Sequence, residues 1–362
     1  MTPHPVHIAV WIGTRPEYIK MAPLVMELQK DSRFKVHFVH SGQHSTLGKG
    51  TGELFGVQPV ELSLPPTDGQ LEALEREITL QARQWFLQSR VDCVIIQGDT
   101  ATAYCVADVA HQLGIPVGHV EAGLRTYDLS QPFPEEGYRQ AISKRANWHY
   151  TPSDQATSNL VSEGIDPSTI YQVGNTIVDA FKTLKTRLSP QDFNSYRAPY
   201  WVMTLHRRET QGEASHQVTQ TLVEVLNGHP SQHLVVIKHP NPLTHPPLAV
   251  FSDHPQIHLM DPLEYLPFLS LCAGSQGLLS DSGGLQEEAP LLGLPIIIFR
   301  EVTERPEVVE AGYGKLVGTK PENIHIGLNW LKELHVPFQK SSLYGPGDTS
   351  KAIHDHLSEV LL

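Results

Sequence analysis

Short apolar runs alternate along this chain with longer stretches in which apolar residues recur every three or four positions. The runs that predict strands are Ile8–Ile12, Val36–Val39, Val94–Gln97, Val117–Val120 and Trp148–Thr151 in the first half, and Val202–Leu205, Leu234–Lys238, Gly277–Ser280 and Pro295–Phe299 in the second. Some are apolar on both faces, as in Cys93-Val94-Ile95-Ile96 and Ile296-Ile297-Ile298, which suits strands buried inside a parallel sheet. Amphipathic stretches such as Ile19–Lys30, Ala101–Leu113 and Glu135–Ala146 predict helices between them. The alternation implies βαβ units with right-handed crossovers, and so an α/β fold, with a cleft between two domains. A polar, proline-containing stretch from Ser189-Pro190 to Ala198-Pro199 separates the halves. A last helix, Lys351–Leu361, is expected to return to the first domain. The expected domains are therefore 1–188 with 351–362, and 189–350.

In open parallel sheets, ligands bind beyond the carboxyl ends of the strands. The residues found there are Gly13-Thr14-Arg15-Pro16-Glu17 with Lys20, Gln43-His44, Gly98-Asp99-Thr100, Glu121-Ala122-Gly123, His206-Arg207-Arg208-Glu209, His239-Pro240-Asn241 and Ser280-Asp281-Ser282-Gly283-Gly284. The first and last of these read as strand, tight turn and helix start. A helix start offers unpaired N–H groups and partial positive charge, which suits a diphosphate. Two such loops suggest two domains closing on one phosphorylated ligand. The first loop lacks the dinucleotide and P-loop spacings. Asp99 reads either as a helix N-cap or as a working carboxylate, whereas Glu121 ends an apolar strand and has no capping role. Glu135 and Glu136 open a helix, where acids complement the dipole, and Glu135 and Arg139 share one helix face. His206, beside two arginines, is an acid/base or phosphate-contact candidate. Glu288, one turn beyond Ser282-Gly283-Gly284, is placed to accept from ribose hydroxyls.

Composition narrows the ligand. A 362-residue chain suffices for two domains, and its net charge of −12 argues against nucleic-acid or anionic-membrane binding. An anionic ligand then needs local cations, and Arg15, Lys20, Arg207, Arg208 and Arg305 are the candidates. The three cysteines imply neither a disulfide framework nor a metal site, and no metal-binding motif occurs among the 20 histidines. No signal peptide and no apolar run of membrane-spanning length is seen, so the cytoplasm is the expected compartment.

Taken in order, Gly13-Thr14-Arg15-Pro16-Glu17, Gly98-Asp99-Thr100, His119-Val120-Glu121-Ala122-Gly123-Leu124-Arg125, Pro134-Glu135-Glu136, Val173-Gly174-Asn175-Thr176, His206-Arg207-Arg208-Glu209 and Ser280-Asp281-Ser282-Gly283-Gly284-Leu285-Gln286-Glu287-Glu288 resemble the non-hydrolysing UDP-N-acetylglucosamine 2-epimerases. The resemblance spans nearly the whole chain. It implies two Rossmann-like, doubly wound α/β domains of the glycosyltransferase-B type with a cleft between them, a homodimer, and reversible interconversion of UDP-GlcNAc and UDP-ManNAc with no cofactor and no metal. In such enzymes UDP leaves by anti elimination, giving 2-acetamidoglucal, and adds back with inverted C2. The resemblance implies Asp99, Glu121 and Glu135 as essential carboxylates assisted by His206. It implies Arg15, Lys20, Arg139, His239, Phe268, Ser282, Gly283, Gly284 and Glu288 as UDP-sugar contacts, and an effector side at Gln43, His44 and Arg207. Pro16-Glu17-Tyr18-Ile19-Lys20 in the first loop resembles the non-hydrolysing branch rather than the hydrolysing one.

The chain departs from the family after His44. Gly48, Gly50 and Gly52 fall where similar enzymes carry a helix lining an effector site, and each interior glycine costs a helix roughly 1 kcal/mol. Pro65-Pro66-Thr67-Asp68-Gly69 also lacks the basic residue usual there. The expectation is a loosened or abolished helix and lost or remodelled activation by substrate. Leu205 and Thr210 replace the glycine and asparagine usual around His-Arg-Arg-Glu. A hydrolysing epimerase, a glycosyltransferase of the same architecture and a non-catalytic UDP-sugar sensor are the alternatives.

Overall fold

The computed structural model describes residues 4–44, 51–67, 69–190, 192–193, 199–207, 210–239, 244–334 and 338–362. It divides into two units, Met1–Thr183 with Tyr344–Leu362, and Leu184–Leu343. The first unit holds a parallel sheet of β1 Val6–Ile12, β2 Phe34–His40, β3 Val60–Glu61, β4 Cys93–Gln97, β5 Val117–Val120, β6 Trp148–Thr151 and β7 Ile170–Gln172. Their spatial order is β3-β2-β1-β4-β5-β6-β7. The second holds β8 Tyr200–Thr204, β9 His233–Ile237, β10 Ile257–Met260, β11 Leu278–Ser280, β12 Ile296–Ile298 and β13 Gly314–Leu316, ordered β10-β9-β8-β11-β12-β13. Each order reverses once, between β1 and β4 and between β8 and β11. That topological switch point is where an α/β sheet opens its ligand crevice.

The runs that are apolar on both faces become inner strands. Ala9, Trp11, Val94 and Ile96 pack with Ile78, Phe86 and Val106 in the first unit; Met203, Leu279 and Ile297 pack with Leu222, Leu226 and Leu328 in the second. The first helix spans Arg15–Gln29, starting earlier than its apolar periodicity suggests. Pro16 occupies its first turn, where a missing N–H costs nothing. Thr100, not Asp99, caps the helix Ala101–Gln112, its hydroxyl accepting from Ala103 N at 3.0 Å. Asp99 is thereby released for other work.

Residues Tyr344–Ser350 attach to the first unit, earlier than the expected return at 351. Asn175 N donates to Tyr344 O at 2.9 Å, Thr349 Oγ1 to Val173 O at 2.9 Å and Ser350 N to Asp179 Oδ1 at 2.9 Å. Gly48 and Gly50 lie outside the described residues. Gly52 sits inside a short helix, Thr51–Phe55. The Tyr18 hydroxyl braces it, 2.7 Å from Val57 O and 3.3 Å from Gly52 O. Among the described residues no helix is long and apolar enough to cross a membrane.

Gly174 has φ +89°, and a Cβ there would meet Tyr344 O at 2.5 Å. Gly174→Ala is expected to destabilise the first unit by about 2 kcal/mol. Urea unfolding, with protease cleavage near Tyr344 as a second readout, checks it; unchanged stability would mean the returning segment is not held through this contact.

Candidate functional site

In the first unit, one ion pair joins the first helix to the end of β5. Lys20 Nζ binds Glu121 Oε2, which also accepts from Gln97 Nε2 at 3.0 Å and Asn175 Nδ2 at 3.2 Å. Gln97 is the last residue of β4, Glu121 follows β5 and Asn175 follows β7, so several strand ends converge on one carboxylate. Glu121 has φ +63°, a left-handed conformation costing an ordinary residue roughly 1–2 kcal/mol. A non-glycine residue held there by several partners is a mark of a functional position.

Asp99 is gripped by Arg139 Nη2, while Arg139 Nη1 donates to Glu136 Oε2 at 3.2 Å. Glu136 is fully buried and accepts from Thr126 N at 3.0 Å and Tyr127 N at 3.2 Å, so it anchors the loop after β5. Of the two neighbouring acids, Glu136 is thus the scaffold, and Glu135 is half-buried in the first helical turn. His119 Nε2 bonds Gly98 O at 2.8 Å, and burial pushes its pKa down to about 3. A neutral imidazole therefore fixes the backbone just before Asp99. Arg15 is half-buried at the first helical position.

Of the three residues expected on an effector side, Gln43 and His44 sit beside the β1 and β4 loops, whereas Arg207 lies in the second unit. Gln43 Oε1 accepts from Thr102 N at 3.0 Å and Thr102 Oγ1 at 2.8 Å, and His44 N donates to Gly13 O at 2.8 Å. Gln43 is thus a brace for the helix start after β4. Glu17 ties the same loops. Its carboxylate accepts from Gly13 N at 3.0 Å, Thr14 Oγ1 at 2.8 Å and Thr100 Oγ1 at 2.8 Å. Thr14-Arg15-Pro16-Glu17 has capping-box spacing, which is the signal that could have singled Glu17 out. Gln97, Asn175 and His119 carry no comparable signal, because only the sheet brings them to Glu121 and Gly98.

In the second unit, Asp281 plays the equivalent bridging part. It accepts from His206 N and Arg207 N, both at 2.9 Å, and from Thr210 Oγ1, and its Oδ1 lies 3.1 Å from His206 Nδ1. Burial would raise its pKa, but the His206 charge and these donors outweigh it and hold the group well below the usual carboxylate range. His206 stacks on His239, ring centroids 5.4 Å apart. His206, Arg207 and Thr210 line a cavity of about 160 Å³ with Ser215, His216 and Thr244. Arg208, Glu209, Pro240 and Asn241 lie outside the described residues.

Ser282 precedes the helix Gly283–Leu292 and leaves its side chain out of the cap. A Cβ at Gly283 would meet Arg305 Nη1 at 2.7 Å, whereas at Gly284 it would meet nothing within 4 Å. Gly283 therefore makes room for Arg305, and Gly284 keeps the helix start open. Arg305 is itself buried: Nε donates to Glu287 Oε1 at 2.7 Å and Nη1 to Glu304. This corrects its reading as a cation for the ligand; it supports the loop from behind. Glu288 accepts from the Tyr265 hydroxyl at 2.6 Å, and Phe268 lies one turn on from Tyr265, half-buried.

Comparison with known proteins gives one consistent answer. Residues 26–358 match the family model described as UDP-N-acetylglucosamine 2-epimerase. A UDP-N-acetylglucosamine 2-epimerase of Neisseria meningitidis is 36% identical over 361 residues, covering 95% of this chain and 97% of the relative. The crystal structure of UDP-GlcNAc 2-epimerase from Neisseria meningitidis bound to UDP-GlcNAc superposes with a TM-score of 0.91 at 33% identity, covering 98% of this chain and 100% of that one. The Methanocaldococcus jannaschii UDP-GlcNAc 2-epimerase in complex with UDP-GlcNAc and UDP gives 0.87 at 30% identity, covering 98% and 100%.

Glu17 has a measurable signature. Burial outweighs its three donors and pushes its pKa from 4.5 up to about 7. Between those values the folded unit keeps a proton that the unfolded chain has released. Stability is therefore expected to fall as pH rises from 4.5 to about 7, by about 3 kcal/mol in all. Glu17→Gln cannot ionise and lacks this loss. Urea unfolding of both proteins at about pH 5 and about pH 8 isolates the difference, and identical pH dependences would remove Glu17 as its source.

Proposed function

The chain belongs to the UDP-N-acetylglucosamine 2-epimerase family, and from that premise we propose how its residues invert C2 of UDP-GlcNAc to give UDP-ManNAc. The C2 proton is weakly acidic, so its removal needs a positioned base acting together with departure of UDP. Asp99, Glu121 and Glu135 supply the carboxylates. Asp99 is aimed by Arg139, and Glu121 by Lys20. One carboxylate takes the C2 proton, the C1–O bond breaks, and its electron pair leaves with UDP as C1=C2 forms. The developing charge on the diphosphate is met by Arg15, by the helix start at Ser282-Gly283-Gly284 and by His206. Phe268 and His239 contact the nucleotide and Glu288 the ribose. A proton then returns to the opposite face of C2 and UDP re-adds at C1, so atoms balance without water, metal or cofactor.

The observation that carries this reading is the pair of guanidinium- and ammonium-bound carboxylates, Asp99 and Glu121, at the mouths of adjacent strands β4 and β5. A transferase has no use for two such groups. A hydrolysing epimerase would release free ManNAc. The family resemblance also carries the expectation of a homodimer, and the cytoplasm is kept as the expected compartment.

Incubation with UDP-GlcNAc in D2O followed by NMR is expected to show deuterium at C2 and UDP-ManNAc rather than free ManNAc. Asp99→Asn and Glu121→Gln are each expected to cut turnover by about a hundredfold or more while UDP affinity stays within about threefold. Near-normal turnover in either variant removes that carboxylate from the mechanism. The altered segment after His44 predicts hyperbolic rather than sigmoidal kinetics from UDP-ManNAc. A lag abolished by trace UDP-GlcNAc would contradict that.

A further inference from the structure

We infer that Asp281 is a positioning residue for the proposed acid/base, fixing the protonated nitrogen and ring orientation of His206; this rests on the role of His206 proposed above. Asp281 is fully buried, while the His206 side chain keeps 28% of its surface accessible. The carboxylate therefore lies behind the ring, not in front of it. Its Oδ1 is 3.1 Å from Nδ1. A carboxylate that already accepts backbone N–H groups from His206 and Arg207 and a hydroxyl from Thr210 can only accept from the ring. Nδ1 must then carry a proton, and Nε2 is the nitrogen left to exchange one with the leaving diphosphate or its returning oxygen.

Two further constraints act on the same ring. The His239 imidazole stacks on it at an interplanar angle of 11°, setting its plane. The donors from His206 N and Arg207 N join the loop after β8 to Asp281, which directly follows β11. The side chain that selects the tautomer therefore also fixes the backbone that carries the ring. Asp281 is next to Ser282, so the imidazole is registered against the helix start proposed to hold the diphosphate. A loose histidine would sample both tautomers and many orientations, and a displacement of about 1 Å is enough to cost about a hundredfold in rate.

The test separates positioning from scaffolding. In Asp281→Asn, the amide oxygen must face the backbone donors, which turns the NH2 toward Nδ1 and forces the proton onto Nε2. The expected result is a kcat lower by about a hundredfold or more, with KM for UDP-GlcNAc within about threefold. NMR of ring-labelled histidines, assigned with His206→Gln, should show Nδ1 protonated in the wild type and Nε2 protonated in Asp281→Asn. Thr210→Val removes one bond to Asp281 but not the ring contact. It should lower stability while keeping the tautomer and leaving kcat within about threefold. Three results would each overturn the inference: an Nε2 proton in the wild type, an Asp281→Asn enzyme with near-normal kcat, or a Thr210→Val enzyme as slow as Asp281→Asn. If Asp281→Asn does not fold, the wild-type spectrum and Thr210→Val still decide. Absence of C2 exchange in the wild type would instead overturn the proposed function, leaving the ring-nitrogen result to judge the dyad.

Discussion

Each sheet of this protein reverses its strand order once, and at that point two loops diverge. A single buried carboxylate closes each divergence. Glu17 joins the loop after β1 to that after β4, and Asp281 joins the loop after β8 to the start of the helix following β11. Burying a carboxylate is expensive unless its oxygens are filled, and filling them from two different loops leaves little freedom in either. The groups proposed to carry chemistry lie beside these clasps: Asp99 precedes Thr100, Lys20 lies one turn beyond Glu17, Ser282 follows Asp281 and His206 donates to it.

The two clasps differ in charge for a physical reason. Glu17 meets only neutral donors in a fully buried place, so desolvation wins and its pKa rises. Asp281 meets a histidine able to carry charge, and its pKa falls despite equal burial. One clasp keeps its proton at pH values below about 7; the other is an anion that acts on the ring it touches. The carboxylates proposed for catalysis form a third type: Asp99 and Glu121 each face a basic side chain, Arg139 and Lys20. A further buried network, Arg305 with Glu287 and Glu304, lies behind Gly283 and makes the absence of a side chain there a packing requirement.

The sequence reading found nine strands, and they are the inner strands of the two sheets; β3, β7, β10 and β13 stand at the edges. An inner strand is covered on both faces and must be apolar throughout, which is a strong local pattern. An edge strand of two to four residues, such as Val60–Glu61 or Gly314–Leu316, carries almost no pattern of its own. It forms because a neighbour offers it a ladder of hydrogen bonds.

The same division holds for the chemistry. Alternating apolar runs, the glycine-rich turns and the carboxylates at strand ends were enough to determine a doubly wound α/β protein and its family, because each depends on residues close in sequence. Only the tertiary structure decided what each side chain touches. Thr100 took the capping role while Asp99 met Arg139; Glu136 anchored the loop after β5; Arg305 turned inward; Gln97, Asn175 and His119 acquired partners after β5 and β4. Those outcomes depend on distances between residues far apart in the chain, set when parallel strands align their carboxyl ends, and no local pattern encodes them.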